Sequence, residues 1–68
     1  MEILHIRDEY IKLGQAMKLA GIAESGLDAK DRILAGDVLV NGEPELRRGR
    51  KLYAGDTFRC GGEEFKIG

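Results

Sequence analysis

The sequence predicts a small α+β domain in which a two-helix hairpin packs on a small, mostly antiparallel β-sheet. Two segments in the first half of the chain have apolar residues at helical spacing, and the second half changes to the two-residue alternation of strands. Two glycine-containing tight-turn sequences then divide that second half into hairpins. A chain of 68 residues has room for one domain, which we expect to span residues 1–68.

The N-terminal segment predicts a short strand followed by an amphipathic helix. Residues 2–6 contain no turn residue and favour the strand. The helix begins at Asp8, a suitable N-cap, or as late as Leu13, and Gly21 ends it. Its apolar positions share one arc, and they are Leu13, Ala16, Met17 and Ala20.

A second helix is predicted between Ser25 and Gly36. Ser25 followed three positions later by Asp28 resembles a capping box, and Gly36 suits a left-handed helix stop. Lys30 falls among the apolar positions and is expected to extend its ammonium group to solvent or to a partner. The predicted apolar side consists of Leu27, Ala29, Ile33 and Leu34.

The C-terminal half predicts two hairpins. Asn41-Gly42 follows an alternating apolar stretch and is a strong tight-turn sequence, while Pro44 places the returning strand at an edge. Gly61-Gly62 predicts the second turn. A two-residue loop there sets Phe58 opposite Phe65 on one face and Arg59 opposite Glu64 on the other.

Charge is unevenly distributed along the chain. The net charge is −1, yet residues 46–53 contain four cations and no carboxylate. We call residues 47–51 the basic loop; its cations are Arg47, Arg48, Arg50 and Lys51. A loop between strands is exposed and can follow a phosphate backbone, and arginine binds phosphate through two hydrogen bonds. Charge alone equally fits a solvated turn balanced by Glu43 and Glu45.

Three helix lysines extend the candidate nucleic-acid surface. Lys12, Lys18 and Lys30 are able to join the basic loop in one face, although each singly is an ordinary solubilising residue. Four to six phosphate contacts would produce a log-log salt slope of roughly −4 to −5 on a duplex.

Catalytic or metal-ligating groups are scarce. His5 falls in the predicted first strand and Cys60 in a hairpin, and neither lies at the spacing of a nucleophilic or metal site, so both are interpreted as partly buried structural residues. We therefore expect no enzyme activity, no cofactor, no metal and no small-molecule substrate. One cysteine and the lack of a long apolar run or signal segment favour a cytoplasmic protein without a membrane partner, expected to be a monomer.

Together these segments resemble the RNA-binding domain of ribosomal small-subunit protein S-four, which has a helical hairpin, the alpha-L RNA-binding motif, followed by a strand ending in Val-Asn-Gly. The similarity spans about residues 12–56. The matching positions are Lys12-Leu13, Ala20-Gly21-Ile22-Ala23, Ser25, Ala29, Ile33, Gly36, Val38, Val40-Asn41-Gly42 and Gly55-Asp56. Residues 11–15 and 47–52 further resemble the small, stand-alone bacterial members of the YaaA/YbcJ type.

The resemblance implies binding of structured RNA, ribosomal RNA first among candidates, by the helical hairpin and the loop after the Asn-Gly turn. Two departures stand out. The family commonly has Arg-Leu-Asp where this chain has Lys12-Leu13-Gly14, and Ser-Arg where this chain has Ser25-Gly26. The second departure removes an expected RNA-contacting guanidinium. We therefore expect the basic loop to contribute a larger share of the RNA binding.

Two other functions stay open from the sequence. A ubiquitin-like sulfur carrier shares the small size, the strand-first start and Val-Asn-Gly-Glu, but such carriers need a C-terminal Gly-Gly, and this chain ends in Ile67-Gly68. A protein-binding module would dock the basic loop on an acidic partner, because arginine matches carboxylate as well as phosphate.

Overall fold

The computed structural model describes residues 1–68, which form two strands, then two helices, then five further strands. In chain order they are β1 (Glu2–Leu4), β2 (Tyr10–Lys12), α1 (Leu13–Leu19), α2 (Gly26–Leu34), β3 (Val38–Val40), β4 (Glu43–Pro44), β5 (Lys51–Tyr53), β6 (Thr57–Cys60) and β7 (Glu63–Ile67). Five strands form one sheet in the order β1-β7-β6-β3-β4, antiparallel except for β1 with β7. The predicted α+β class is confirmed.

A second, two-stranded sheet was not predicted. Strands β2 and β5 pair antiparallel and form what we call the ribbon. Because residues 10–12 are extended, α1 begins at Leu13, the later of the two predicted starts, and the start at Asp8 is wrong. The ribbon therefore leads directly into the first turn of α1.

Helix α2 begins and ends as its sequence predicts. The Ser25 hydroxyl accepts a hydrogen bond from the Asp28 backbone N–H at 3.1 Å, and the Asp28 carboxylate accepts one from the Glu24 N–H at 3.0 Å. Gly36 follows the helix with a φ of 83°, a left-handed conformation that glycine adopts without steric cost.

The predicted apolar side of α2 is partly wrong. Ala29 and Ile33 are buried, but Leu27 and Leu34 are 66% and 60% exposed. Ala29 and Ile33 lie one turn apart on one stripe, whereas Leu27 falls on the far side of the helix at 100° per residue. Lys30 extends to solvent as expected.

One apolar core joins the helices to the inner face of the larger sheet. It contains 14 buried residues, among them Phe58 and Phe65, whose stacked rings have centroids 5.1 Å apart. The predicted register is confirmed, since Phe58 pairs with Phe65 and Arg59 with Glu64. Cys60 lies in this core, but His5 is exposed, so its interpretation as partly buried is wrong.

The Asn41-Gly42 turn connects β3 to edge strand β4 and also holds the end of the ribbon. Asn41 has a φ of 51° and Gly42 one of 84°, as a tight hairpin turn requires. The Asn41 amide donates to the Asp56 carboxylate at 3.2 Å, and the other Asp56 oxygen accepts from the Tyr53 backbone N–H at 2.8 Å. The Asn-Gly and Gly-Asp motifs are thus joined structurally. Neither helix has the length and apolarity to cross a membrane.

Candidate nucleic-acid interface

The basic loop is fixed to the first turn of α1 by its backbone. Lys12, the N-cap residue, makes no side-chain cap hydrogen bond. Instead the Leu13 N–H donates to the Arg50 carbonyl at 2.8 Å and the Gly14 N–H donates to the Arg48 carbonyl at 3.0 Å. Two helix donors that would otherwise lack partners are satisfied by the loop, so the loop and helix are held in one arrangement.

Gly14 makes room for the side chain of Arg48, and Gly26 accepts a hydrogen bond from it. A Cβ atom on Gly14 would lie 2.6 Å from Arg48 Cγ, a distance that only glycine allows here. The guanidinium extends further, and its Nη1 donates to the Gly26 carbonyl at 3.3 Å. Gly14 and Gly26 are the two positions at which the sequence departs from the resembled pattern. A guanidinium therefore still lies at the start of α2, supplied by the loop.

Glu45 organises the other two loop arginines. This residue is 7% exposed, and its carboxylate accepts from Arg47 Nε at 3.1 Å and from Arg50 Nη1 at 2.8 Å. It also accepts from the backbone N–H groups of Leu46 and Arg47 at 3.0 and 3.1 Å. Hydrogen bonds from Arg47 and then Arg50 lower the pKa of Glu45 from 4.5 to about 2.

The expectation that the basic loop is exposed and free to follow a phosphate backbone is therefore corrected in part, because Glu45 holds two of its arginines. Glu45 balances part of the loop charge, as the solvated-turn interpretation holds, whereas Glu43 forms no ion pair. The Arg47 side chain remains 73% exposed and that of Arg50 36%. Each guanidinium has five N–H donors and uses only some of them on Glu45. The buried carboxylate fixes the arginines while leaving donors for a ligand.

All seven cations predicted from the sequence border adjoining depressions of one surface. The first depression is a polar groove of about 320 Å³ with no hydrophobic lining residue, and it contains Lys12, Lys18 and Arg48. A second one adds Lys30 and shares Arg48 and Gly49. A third contains Arg47, Arg50 and Lys51, and again shares Gly49. We call this surface the basic face; its cations are Lys12, Lys18, Lys30, Arg47, Arg48, Arg50 and Lys51.

The basic face has four lysines, and two of them are placed at a cost to stability. None of the four forms an ion pair. Lys12 lies directly opposite Lys51 in the ribbon, an arrangement of like charges that destabilises a strand pair. Lys12 is also the N-cap of α1, where the helix dipole disfavours a cation. An anionic ligand at this surface would relieve both unfavourable placements.

Sequence reasoning missed several residues of this surface. Glu45 was considered only as a carboxylate that could balance the charge of the basic loop. Gly14 and Gly26 were considered only as positions where the charged side chains of the family are missing. Tyr10 and Tyr53, which face each other across the ribbon, were not identified. One signal was present in the sequence. Tyr-Ile-Lys at residues 10–12 and Lys-Leu-Tyr at residues 51–53 have the same pattern of residue types in opposite directions, as expected of an antiparallel pair with one apolar face.

Comparison with known proteins places the chain in a family. A family model described as the S4 domain matches residues 4–68. The chain belongs to the S4 domain family. Among its relatives, "Probable ribosome maturation protein RlbA" of Bacillus subtilis (strain 168) is 49% identical over 59 residues, which cover 87% of this chain and 83% of that protein. "Putative RNA-binding protein YbcJ" of Escherichia coli (strain K12) is 36% identical over 58 residues, covering 85% and 83%. The resemblance to the stand-alone members of the S-four type is thereby confirmed.

Proposed function

We propose that this S4 domain protein is a non-enzymatic binder of structured RNA, and that its target is ribosomal RNA or a ribosome-assembly intermediate in the cytoplasm. One observation carries the proposal: seven cations border one face of a protein whose net charge is −1. The names of the two relatives, "Probable ribosome maturation protein RlbA" and "Putative RNA-binding protein YbcJ", support the choice of RNA and of the ribosome.

The chemistry of the basic face suits a folded RNA backbone. Duplex RNA is recognised mainly by shape and through phosphates and 2′-hydroxyls, because its deep major groove excludes side chains. Arg48 lines a polar groove beside the starts of the two helices, and its remaining donors suit a phosphate oxygen. Lys12 and Lys18 border the same groove and neutralise further phosphates.

The test is the salt dependence of binding to a labelled hairpin RNA, measured by fluorescence anisotropy. We expect the affinity to fall with a log-log slope of roughly −4 to −5, as four to six phosphate contacts predict. Lys18→Gln removes one contact and is expected to flatten the slope by about 1. Arg47 and Arg50 are poor choices for this test, because their removal would leave the Glu45 carboxylate without its ion-pair partners.

Lys66→Gln is the matched control. Lys66 is an exposed lysine of β7 in the larger sheet, without an ion pair, and its replacement changes the net charge equally. We expect it to leave the slope unchanged. Equal effects of the two substitutions would mean that net charge, rather than the basic face, determines binding, and a salt-independent affinity would contradict the proposal altogether.

Docking on an acidic protein is a second candidate, supported by one specific observation. Leu34 and Leu46 are each 60% exposed and line the depression that contains Lys30 and Arg48. Apolar side chains beside cations are typical of a protein interface. A pull-down from cells with and without ribonuclease separates the two functions, because partners bound through RNA are lost on digestion and partners bound directly are retained.

A further inference from the structure

The exposed aromatic surface of the protein is concentrated on the outer face of the ribbon. The chain has two tyrosines, two phenylalanines and no tryptophan, and both phenylalanines are buried. Tyr10 and Tyr53 are direct cross-strand partners, with ring centroids 5.8 Å apart and ring planes at 50°. Tyr53 is 43% exposed, whereas Tyr10 is partly buried. Of the aromatic rings, that of Tyr53 is the one most open to a ligand.

Both neighbours of the tyrosine pair on this face are lysines. Strand alternation directs Ile11 and Leu52 inward and leaves Lys12 and Lys51 outward beside the tyrosines. The Lys51 ammonium lies 4.8 Å from the centroid of the Tyr10 ring, a cation–π contact. Lys12 also borders the polar groove, and Lys51 the depression of Arg47 and Arg50. The tyrosines thus adjoin the basic face.

Tyr53 is held in place before any ligand binds. Its backbone N–H donates to the Asp56 carboxylate at 2.8 Å, and the Asp56 N–H donates back to the Tyr53 carbonyl at 2.9 Å. Asp56 is bound in turn by the Asn41 amide. A ring on a fixed backbone loses less conformational freedom on binding than one on a mobile loop.

We propose that Tyr53, supported by Tyr10 and flanked by Lys12 and Lys51, stacks on one unpaired base of the bound RNA. The proposal deepens the proposed function, on which it rests, by naming the class of RNA: a helix interrupted by, or next to, an unpaired nucleotide. Aromatic side chains stack on bases regardless of sequence, and RNA-binding proteins read unpaired positions in this way. The tilt between the rings leaves no parallel slot, so the base stacks on Tyr53 alone.

A purely structural role makes a different prediction. Aromatic cross-strand pairs stabilise strand pairing, so a pair with only that role would affect stability and not the choice of RNA. Two features favour a ligand: the cations beside the tyrosines lack ion-pair partners, and Lys12 and Lys51 repel each other across the ribbon. A nucleotide offers a base for the ring and a phosphate for the lysines.

The test compares two hairpin RNAs that differ only in a single bulged adenosine. We expect the full-length protein to bind the bulged hairpin about tenfold tighter than the uninterrupted one at the same salt concentration. Tyr53→Phe keeps the ring and should keep this preference. Tyr53→Leu should bind both hairpins with the affinity that the unchanged protein has for the uninterrupted hairpin, and thermal melts establish that it is folded.

A second readout needs no variant. With 2-aminopurine at the bulged position, stacking should change the base fluorescence when the unchanged protein binds. Equal affinity for both hairpins, an unchanged 2-aminopurine signal, or a Tyr53→Leu variant that keeps the preference would each overturn the inference. Failure of the proposed function is different, because then neither hairpin binds in a salt-dependent manner and Lys18→Gln has no effect on either.

Discussion

The ribbon and the β6–β7 hairpin follow the same strand alternation but use their outward positions in opposite ways. Each directs an apolar pair inward, Ile11 with Leu52 in the ribbon and Phe58 with Phe65 in the hairpin. Outward, the hairpin sets opposite charges facing each other, Arg59 with Glu64. The ribbon instead pairs lysine with lysine and tyrosine with tyrosine.

Under the proposed function, this difference separates residues that stabilise the fold from residues that bind a ligand. Opposite charges across a strand pair contribute to its own stability, and like charges oppose it. Arg59 and Glu64 face each other by register without forming an ion pair, whereas an anion bound over the ribbon would offset the repulsion between its lysines. Within 68 residues, then, one strand pair has outward charges that favour folding, and the other has outward charges that the proposed function assigns to binding.

We expect the largest effect on the ribbon from replacing Glu45, because this carboxylate binds the arginines of the loop that leads into β5. Glu45→Gln removes the charge that Arg47 and Arg50 share, and we expect the free energy of unfolding to fall by about 1–3 kcal/mol. Urea denaturation measures it. Glu43→Gln is the control, since Glu43 is exposed and forms no ion pair. If both substitutions had equal, small effects, Glu45 would not organise the loop.

The same carboxylate predicts how stability depends on pH. The pKa of Glu45 is about 2 when folded, below its ordinary 4.5, so the folded protein holds this group ionised where the unfolded chain binds a proton. The contribution is complete above pH 4.5 and is lost as the pH falls toward 2. Denaturation curves at several pH values should show a decline in this window that is shallower in Glu45→Gln, and identical slopes would refute the assignment.

Two glycines offer the next test, because the chain supplies a matched pair. Gly14→Ala places a methyl group 2.6 Å from Arg48 Cγ, and we expect a loss of about 1–2 kcal/mol together with weaker RNA binding as Arg48 moves. Gly26→Ala meets only Arg48 Nη1 at 3.7 Å, an ordinary contact, and in a helix without positive φ it is expected to be neutral or to stabilise the fold by up to about 1 kcal/mol. Thermal melts and anisotropy measure both effects. Equal tolerance at the two positions would show that Arg48 is not confined by Gly14.

The smallest effect concerns the outward charges themselves. Lys12→Gln should raise the free energy of unfolding by about 0.2–0.5 kcal/mol, because it removes a like-charge pair and a cation at a helix N-terminus. Arg59→Gln should lower it by a similar amount. Both shifts should vanish at 1 M salt, where charges are screened. Lys12→Gln should nevertheless weaken RNA binding. A Lys12→Gln variant that bound RNA more tightly would contradict the proposal that the ribbon lysines bind RNA.

Local signals predicted those parts of the fold that local chemistry determines. The Ser25–Asp28 cap, the Asn41-Gly42 turn and the Phe58–Phe65 register all depend on residues close in sequence, and all three are confirmed. The ribbon depends on pairing between two strands that are far apart in sequence. Each strand has only three residues, which is too few to produce a periodic signal. Residues 8–12 were open to a helical interpretation for that reason.

The candidate site was predictable in its charges but not in its organisation. Counting cations identified seven residues that the structure brings to one surface. No pattern along the chain indicates that Glu45 turns inward or that Arg48 crosses Gly14 to reach Gly26, because these contacts depend on the tertiary arrangement. Their RNA contacts remain predictions.

The hydrogen bonds from Leu13 and Gly14 to the loop carbonyls also determine when, during synthesis of the chain, the polar groove can form. Helix α1 has seven residues, too few to persist alone in water, and its first-turn partners at Arg48 and Arg50 are translated after α2 and two strands. Forming these contacts closes a long loop, which is slow compared with local folding. A nascent or truncated chain that ends before the basic loop would therefore lack the groove that Arg48 and Gly49 line, and under the proposed function it would bind RNA more weakly than the full-length protein.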